Sequence, residues 1–316
     1  MPALLKDQMR KLVLVKFSLS RFSLSLSACA CAAALLTACG GGGGDLAGAD
    51  VSQAAGSPNI AAASEVNASS SGAIPQTAAS GAAMTPFGQN ASDYTLTFTE
   101  EFDSYNSSLW NDHIWYAGSN ATKNFAVEDG KLKIWPQRDA SGKFFDRTID
   151  TDGKYYQQYG YFEMEAKLPK GKGTWPAFWL FNHIDERRPE MDVMEAYAGG
   201  DGWGYKDASG VAIPNTYSAT VWVGDYEGHQ AGFKMHKADV DLSADFHKYA
   251  VKWEPGKQTY YFDGKEVSTV NVSMTDPMYL MLDLWFGSAS GTPDDSTPQG
   301  KGNSYEVNYV RAWQFK

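Results

Sequence analysis

From about residue 91 to the C-terminus, apolar and polar residues alternate one by one in short runs. In "YFEMEAKLP", Phe162, Met164, Ala166 and Leu168 fall on one side, and Glu163, Glu165 and Lys167 on the other. In "KYAVKWEP", Tyr249, Val251 and Trp253 oppose Lys248 and Lys252. In "YEVNYVRAWQF", strict alternation puts Tyr305, Val307, Tyr309, Arg311, Trp313 and Phe315 on one face. Side chains of a strand point to alternate faces, so this period marks strands with two different sides. Asp263-Gly264 between two such runs signals a two-residue hairpin turn. Sustained helical periodicity is hard to find. Many short strands over roughly 225 residues predict one all-β domain, an antiparallel sandwich or jelly roll.

The N-terminal third has a different character. Lys6, Arg10, Lys11, Lys16 and Arg21 precede an Ala/Leu-rich run that ends at "LLTACGGGGGD". A basic region, a short apolar region and small residues at the end together read as a signal peptide over 1–38. The run is too short for a membrane-spanning helix. "LTAC", Leu36 to Cys39, resembles the lipobox of bacterial lipoproteins. That resemblance implies lipidation of Cys39 and attachment to a membrane. Gly40 follows Cys39 where an aspartate would signal inner-membrane retention, so the resemblance points to an exported protein on the bacterial outer membrane. Residues 39–90 are rich in Gly, Ala, Ser, Thr and Asn, and read as the lipidated Cys and a flexible linker. The folded domain is expected over 91–316.

Net charge is −10, which argues against a nucleic-acid partner, because phosphate binding needs a basic footprint. The three cysteines, Cys29, Cys31 and Cys39, all precede residue 40. The domain therefore has no disulfide framework and no cysteine-based zinc site. His113, His183, His229, His236 and His247 lack close metal-ligand spacing, so no metal and no cofactor is expected.

"RRPEMDVMEAYAGG" holds three carboxylates in six residues. On a helix Glu190, Asp192 and Glu195 would scatter around the axis. On a strand Glu190 and Asp192 share a face, and Glu195 joins them only if one extra residue is inserted near Val193 or Met194. A β-bulge makes that insertion. Two glutamates converging on one sugar are what retaining glycoside hydrolysis requires, with carboxyl groups about 5–5.5 Å apart. An acid between them can hydrogen-bond the nucleophile and raise the pKa of its neighbour. A solvated acidic strand edge, or a loop paired to Arg187 and Arg188, accounts equally well for these six residues alone.

The surrounding runs tip the balance. "TFTEEFDS", "YGYFEMEAKLPKGKGTWPAFWLFN", "FHKYAVKWEPGKQTYYFDGKEV" and "YEVNYVRAWQF" together resemble glycoside hydrolase family sixteen from about residue 93 to the end. The spacing E-x-D-x-x-E is similar to its bulged, laminarinase-like branch. The resemblance implies a β-jelly roll of two curved antiparallel sheets around a substrate cleft. It also implies Glu190 as nucleophile, Asp192 as assisting carboxylate and Glu195 as general acid/base. Trp175 and Trp179 match the family's Trp-rich run, where an indole lines the sugar subsites. Core packing is an equal expectation for Trp179. In "YLMLDLWFG", Leu280, Leu282, Leu284 and Phe286 form one face. Tyr279, Met281, Asp283 and Trp285 form the other, placed toward the cleft, with Asp283 and Trp285 as candidate substrate contacts.

Two departures stand out. Family members often carry a His on the strand after the catalytic one, whereas "NTYSATVWVG" has Val221 and Trp222. Asn308 stands where an Asp often contributes to a structural calcium site, and amide oxygen is a weaker ligand for a hard cation. The expected function is an endo-acting, retaining β-glycanase on a 1,3- or 1,3-1,4-linked β-glucan, working as a monomer. A transglycosylase or depolymerase remodelling an exopolysaccharide would use the same residues. A non-catalytic carbohydrate-binding protein would share the sandwich but have no need of the acid pair.

Overall fold

The computed structural model describes residues 84–184, 187–224 and 229–316. The leader, Cys39 and the linker up to residue 83 lie outside the described residues. In chain order the strands are β1 (Tyr94–Glu100), β2 (Phe125–Glu128), β3 (Lys131–Ile134), β4 (Arg147–Asp150), β5 (Gly160–Lys167) and β6 (Thr174–Phe181). There follow β7 (Glu190–Ala196), β8 (Tyr205–Lys206), β9 (Ala212–Ile213), β10 (Thr216–Val223) and β11 (His229–Lys237). The last are β12 (His247–Glu254), β13 (Lys257–Phe262), β14 (Lys265–Val270), β15 (Tyr279–Phe286) and β16 (Tyr305–Phe315).

Two antiparallel sheets hold nearly all of them. One has the order β14-β13-β12-β5-β16-β3-β2, with β1 paired to the C-terminal half of β16. The other has the order β11-β10-β7-β6-β15-β4. Their facing sides form the core. Phe162, Met164, Ala166, Tyr249, Val251 and Trp253 meet Phe178, Leu180, Met191, Leu280, Leu282 and Leu284. These are the apolar sets that alternation picks out on β5, β12 and β15. Burying each large side chain contributes about 1.5–3 kcal/mol. The hairpin at Asp263-Gly264 is present, with φ of 47° and 75° at its two turn residues. Both angles are positive, as a type I′ turn demands.

Strand β16 departs from strict alternation. A register shift between Val307 and Tyr309 inserts an extra residue. Tyr305 and Val307 face the core, but beyond the shift Val310 and Ala312 do so. Trp313 and Phe315 instead join Tyr94 and Tyr161 on the outer face of that sheet. A bulge changes which face each later residue presents.

Residues 84–90, which the linker reading assigned to the tether, lie on this outer face. The Phe87 amide donates to Glu163 Oε2 at 3.0 Å, and Trp313 Nε1 donates to the Met84 carbonyl at 3.0 Å. Lys248 Nζ sits 4.7 Å from the centre of the Phe87 ring. Among the described residues no helix is long and apolar enough to cross a membrane.

Candidate active site

The other side of the second sheet is partly covered by the 114–117 segment, and β7 runs through the middle of the sheet. On β6, Phe178 and Trp179 pair with Met194 and Asp192, so Val193 is the extra residue on β7. On β10, Ser218 and Thr220 pair with Glu195 and Asp192, a shift of the same size. Both neighbours therefore accommodate one bulge, at Val193 and Met194. Both of those side chains are buried in the core, as is Met191. The bulge returns Glu195 to the face that carries Glu190 and Asp192. Arg187 is engaged elsewhere, its Nη1 donating to both carboxylate oxygens of Asp276 at 3.0 and 2.9 Å.

Directly opposed residues in antiparallel strands share a face. One row across the sheet reads Asp283, Ala177, Glu195, Ser218, Met235. The next reads Met281, Trp179, Asp192, Thr220, Phe233. The acids thus lie at the centre of the face, flanked by indoles from β6 and β15.

Glu195 has the richest set of partners. Trp175 Nε1 donates to its Oε1 at 3.0 Å, and Ser218 Oγ donates to its Oε2 at 3.3 Å. The Tyr197 hydroxyl lies 2.7 Å from Ser218 Oγ. Since Ser218 gives its one proton to Glu195, Tyr197 is the donor to Ser218. Tyr197 and Ser218 are buried, so this chain of hydroxyls fixes Glu195 from behind. Asp192 is buried, and its Oδ2 has no hydrogen-bond partner among the described residues. A hydrogen bond from Trp222 opposes the rise in its pKa.

Burial is the main force on all three carboxyls. It raises the pKa of Glu190, with a further push from the charge of Glu195. It raises that of Glu195, against the bonds from Trp175 and Ser218. It raises Asp192 well above the carboxylate range, helped by Glu195, Glu190 and Asp283. Acids this close share their protons and titrate as one cluster. The site therefore keeps a proton available at pH values where isolated carboxyls have lost theirs.

The structure divides the four candidate subsite residues. Trp175 and Trp285 are partly exposed, with ring centres 6.1 Å apart in an edge-to-face arrangement. Trp179 and Asp283 are on the expected face but buried, at 6% and 2% exposure. Trp179 Nε1 donates to Asp283 Oδ2 at 2.9 Å, so this pair supports the floor of the site. Beside Trp285 lies a polar pocket bounded by the 112–120 segment, Phe145 and Arg147. Arg147 is buried, and its five N–H groups bond Asn124 Oδ1, the Asp112, Asn120 and Thr122 carbonyls and Ser119 Oγ. With every donor engaged, it holds this strandless segment in place.

Ser218, Tyr197, Trp222 and Arg147 were not singled out as site residues in the sequence. Only Trp222 carried a signal, lying in the run where the resembling family often has a His. Among the described residues no group of three or more His, Cys, Asp or Glu is placed to hold a metal ion. Asn308 Nδ2 donates to Glu165 Oε2 at 2.8 Å.

Residues 111–311 match the model of glycosyl hydrolases family 16. The endo-1,3-1,4-beta-glycanase EglC of Rhizobium meliloti is 31% identical over 260 residues, covering 70% of this chain and 52% of that protein. The glucan endo-1,3-beta-glucosidase A1 of Niallia circulans is 27% identical over 225 residues, covering 62% of this chain and 31% of its own length. The chain thus spans about half, or less, of these curated relatives. Among solved structures, the laminarinase catalytic domain of Thermotoga petrophila superposes with a TM-score of 0.55 at 24% identity, covering 71% of this chain and 99% of that one. At that identity the likeness speaks for the jelly-roll fold. With well over half of its residues under one family model and the acids grouped on the central strand of the second sheet, this chain belongs to glycosyl hydrolase family 16.

Proposed function

We propose that the domain is an endo-acting, retaining β-glycanase that hydrolyses 1,3- or 1,3-1,4-linked β-glucan as a monomer. The observation that carries this is the bulge at Val193–Met194, which brings Glu195 onto the face of Glu190. In the first step, ionised Glu190 attacks the anomeric carbon while Glu195 gives its proton to the departing glycosidic oxygen. In the second, Glu195 takes a proton from water, the water oxygen bonds to the anomeric carbon, and Glu190 leaves as carboxylate. Asp192, between them, serves as the assisting carboxylate, while burial holds up the pKa of the proton donor. The relatives' names, endo-1,3-1,4-beta-glycanase and glucan endo-1,3-beta-glucosidase, support β-glucan as the substrate class.

The test is reducing-sugar release from laminarin and mixed-linkage glucan, with the product anomer read by NMR. Glu190→Ala with added azide is expected to give the inverted glycosyl azide. Glu195→Ala on a substrate with a good leaving group is expected to give the retained one. The same anomer from both variants would overturn the roles. Longer products in place of hydrolysis products would indicate transglycosylation.

Export and lipidation of Cys39 rest on the leader and "LTAC" alone. In this reading residues 40–83 tether the enzyme to the outer membrane. Mass spectrometry of the mature N-terminus is expected to find a diacylglyceryl group on Cys39. A mature chain starting at another residue would end this part of the proposal.

A further inference from the structure

Beyond the acids, on the side away from Trp285, the same sheet face continues across β10, where Ser218 and Thr220 are buried, to β11, where Phe233 and Met235 are partly exposed. Phe233 lies in the same row as Asp192, two strands across. At about 4.8 Å per strand this is roughly 10 Å from the acids, within reach of the next sugars of a bound polymer. The residues of these two rows on β10 and β11 are Ser218, Thr220, Phe233 and Met235, all uncharged.

Trp203 stands over Phe233 edge-to-face, with ring centres 4.6 Å apart and planes at 82°. A second aromatic neighbour is Tyr197, at 5.6 Å, the residue that backs Ser218 and Glu195. Trp203 and Phe233 are both partly exposed.

The segment that carries Trp203 has no regular structure of its own between β7 and β8, yet it is held closely. The Trp203 amide donates to the Ala289 carbonyl at 2.9 Å, and the Gly199 amide donates to Ser290 Oγ at 2.8 Å. A Cβ at Gly199 would fall 1.7 Å from the Ser290 carbonyl oxygen. One at Gly202, where φ is +64°, would fall 2.3 Å from the Ala289 oxygen. Only glycine permits this approach, and the approach fixes where Trp203 sits. An aromatic side chain fixed in advance loses little freedom on binding.

We propose that Trp203 and Phe233 form a stacking platform for an uncharged pyranose ring of the polysaccharide, on the β10–β11 flank of the site. The apolar C–H face of a sugar packs on an aromatic ring, and no charged group in these rows favours an acidic sugar. With Trp175 and Trp285 on the opposite flank, the polymer has aromatic support on both sides of the acids. That arrangement suits cleavage inside a chain. The inference rests on the glycanase reading above.

The test compares wild type, Trp203→Ala, Phe233→Ala and Trp203→Phe on a β-1,3-gluco-oligosaccharide series from trimer to heptamer. The ratio of kcat/KM for heptamer over trimer is expected to fall about 10-fold in both alanine variants, mainly through KM. That equals about 1.4 kcal/mol. Trp203→Phe is expected to restore most of it. In a Glu190→Gln background, calorimetric titration with the heptamer should show the same loss in affinity. An unchanged ratio with hydrolysis intact would overturn the platform and leave the glycanase reading standing. An equal loss at every length with a lower Tm would make Trp203 structural and overturn the platform. Absence of both hydrolysis and binding in the wild type would remove both proposals.

Discussion

The Trp175 indole donates to Glu195 across 3.0 Å, and Ser218 holds the other carboxylate oxygen at 3.3 Å. Both bonds favour the ionised form, against burial, which favours the protonated one. Removing either donor should raise the pKa of Glu195. If Glu195 is the proton donor, the alkaline limb of the kcat/KM profile reports that pKa. Trp175→Phe and Ser218→Ala are expected to move this limb upward by up to about one pH unit while lowering kcat about 10-fold. Tyr197→Phe acts through Ser218 and should move it less. Profiles on one soluble glucan decide it: a limb unmoved in all three variants would mean that Glu195 does not set it.

The acid cluster should also leave a mark on stability. In the folded state the coupled acids titrate high, reaching up to about 8 chiefly through burial, and the cluster rather than any one carboxyl holds the late proton. The folded state therefore holds more protons than the unfolded chain above the ordinary carboxylate range. By linkage, stability falls as pH rises from about 4.5 toward about 8. Glu190→Gln and Asp192→Asn cannot lose a proton. Each is expected to raise Tm over wild type at pH 8, by an amount equivalent to about 1 kcal/mol or more, and to show a smaller gain at pH 5. Thermal melts at the two pH values supply the comparison. Equal gains at both would mean the carboxyls are not the source.

The bulge makes a third prediction. Deleting Val193 leaves the spacing E-x-D-x-E, which keeps three acids on one face of a regular strand. Strands β6 and β10 each pair with β7 one residue short, so both have partners for the shortened strand. The loss is one buried core side chain, at 2% exposure. The variant is expected to fold, to lose about 2–5 kcal/mol and to retain measurable hydrolysis. Denaturant titration and activity are measured on the same preparation. A chain that folds fully yet has no activity would show that the bulge itself sets the geometry of the acids.

Local pattern explains what was legible in the sequence. The core faces of β5, β12 and β15 follow from alternation, and the bulge on β7 follows from acids one residue out of step. The bulge on β16 left no such trace, because Tyr309, Trp313 and Phe315 on its outer face are as apolar as the core side. Asp283 was assigned to the right face but the wrong depth, since its coverage depends on Trp179, 104 residues away in sequence. The Tyr197–Ser218–Glu195 chain joins residues from two strand ends and has no signature in either. Residues 84–90 read as linker because composition alone does not reveal backbone bonding to a distant carboxylate.

That last segment yields the fourth prediction. Glu163 is 1% exposed, and its carboxyl accepts two bonds, from Tyr309 at 2.8 Å and from the Phe87 amide at 3.0 Å. The Tyr161 hydroxyl donates to the Phe87 carbonyl at 3.3 Å, and Trp313 donates to that of Met84. A chain beginning at Met84 keeps all of these bonds. One beginning at Ala91 opens Glu163, Tyr161 and Trp313 to water and loses the packing of Phe87 on Lys248. Each lost bond is worth about 0.5–1.5 kcal/mol, so the shorter chain is expected to be about 1–4 kcal/mol less stable. For a domain of this size that lowers Tm by several degrees, at about 2–4 °C per kcal/mol. The acids lie on the other sheet, so activity at 25 °C should differ little between the two chains. Parallel melts and initial rates provide the check. Equal Tm values would mean that residues 84–90 rest on the domain without stabilising it.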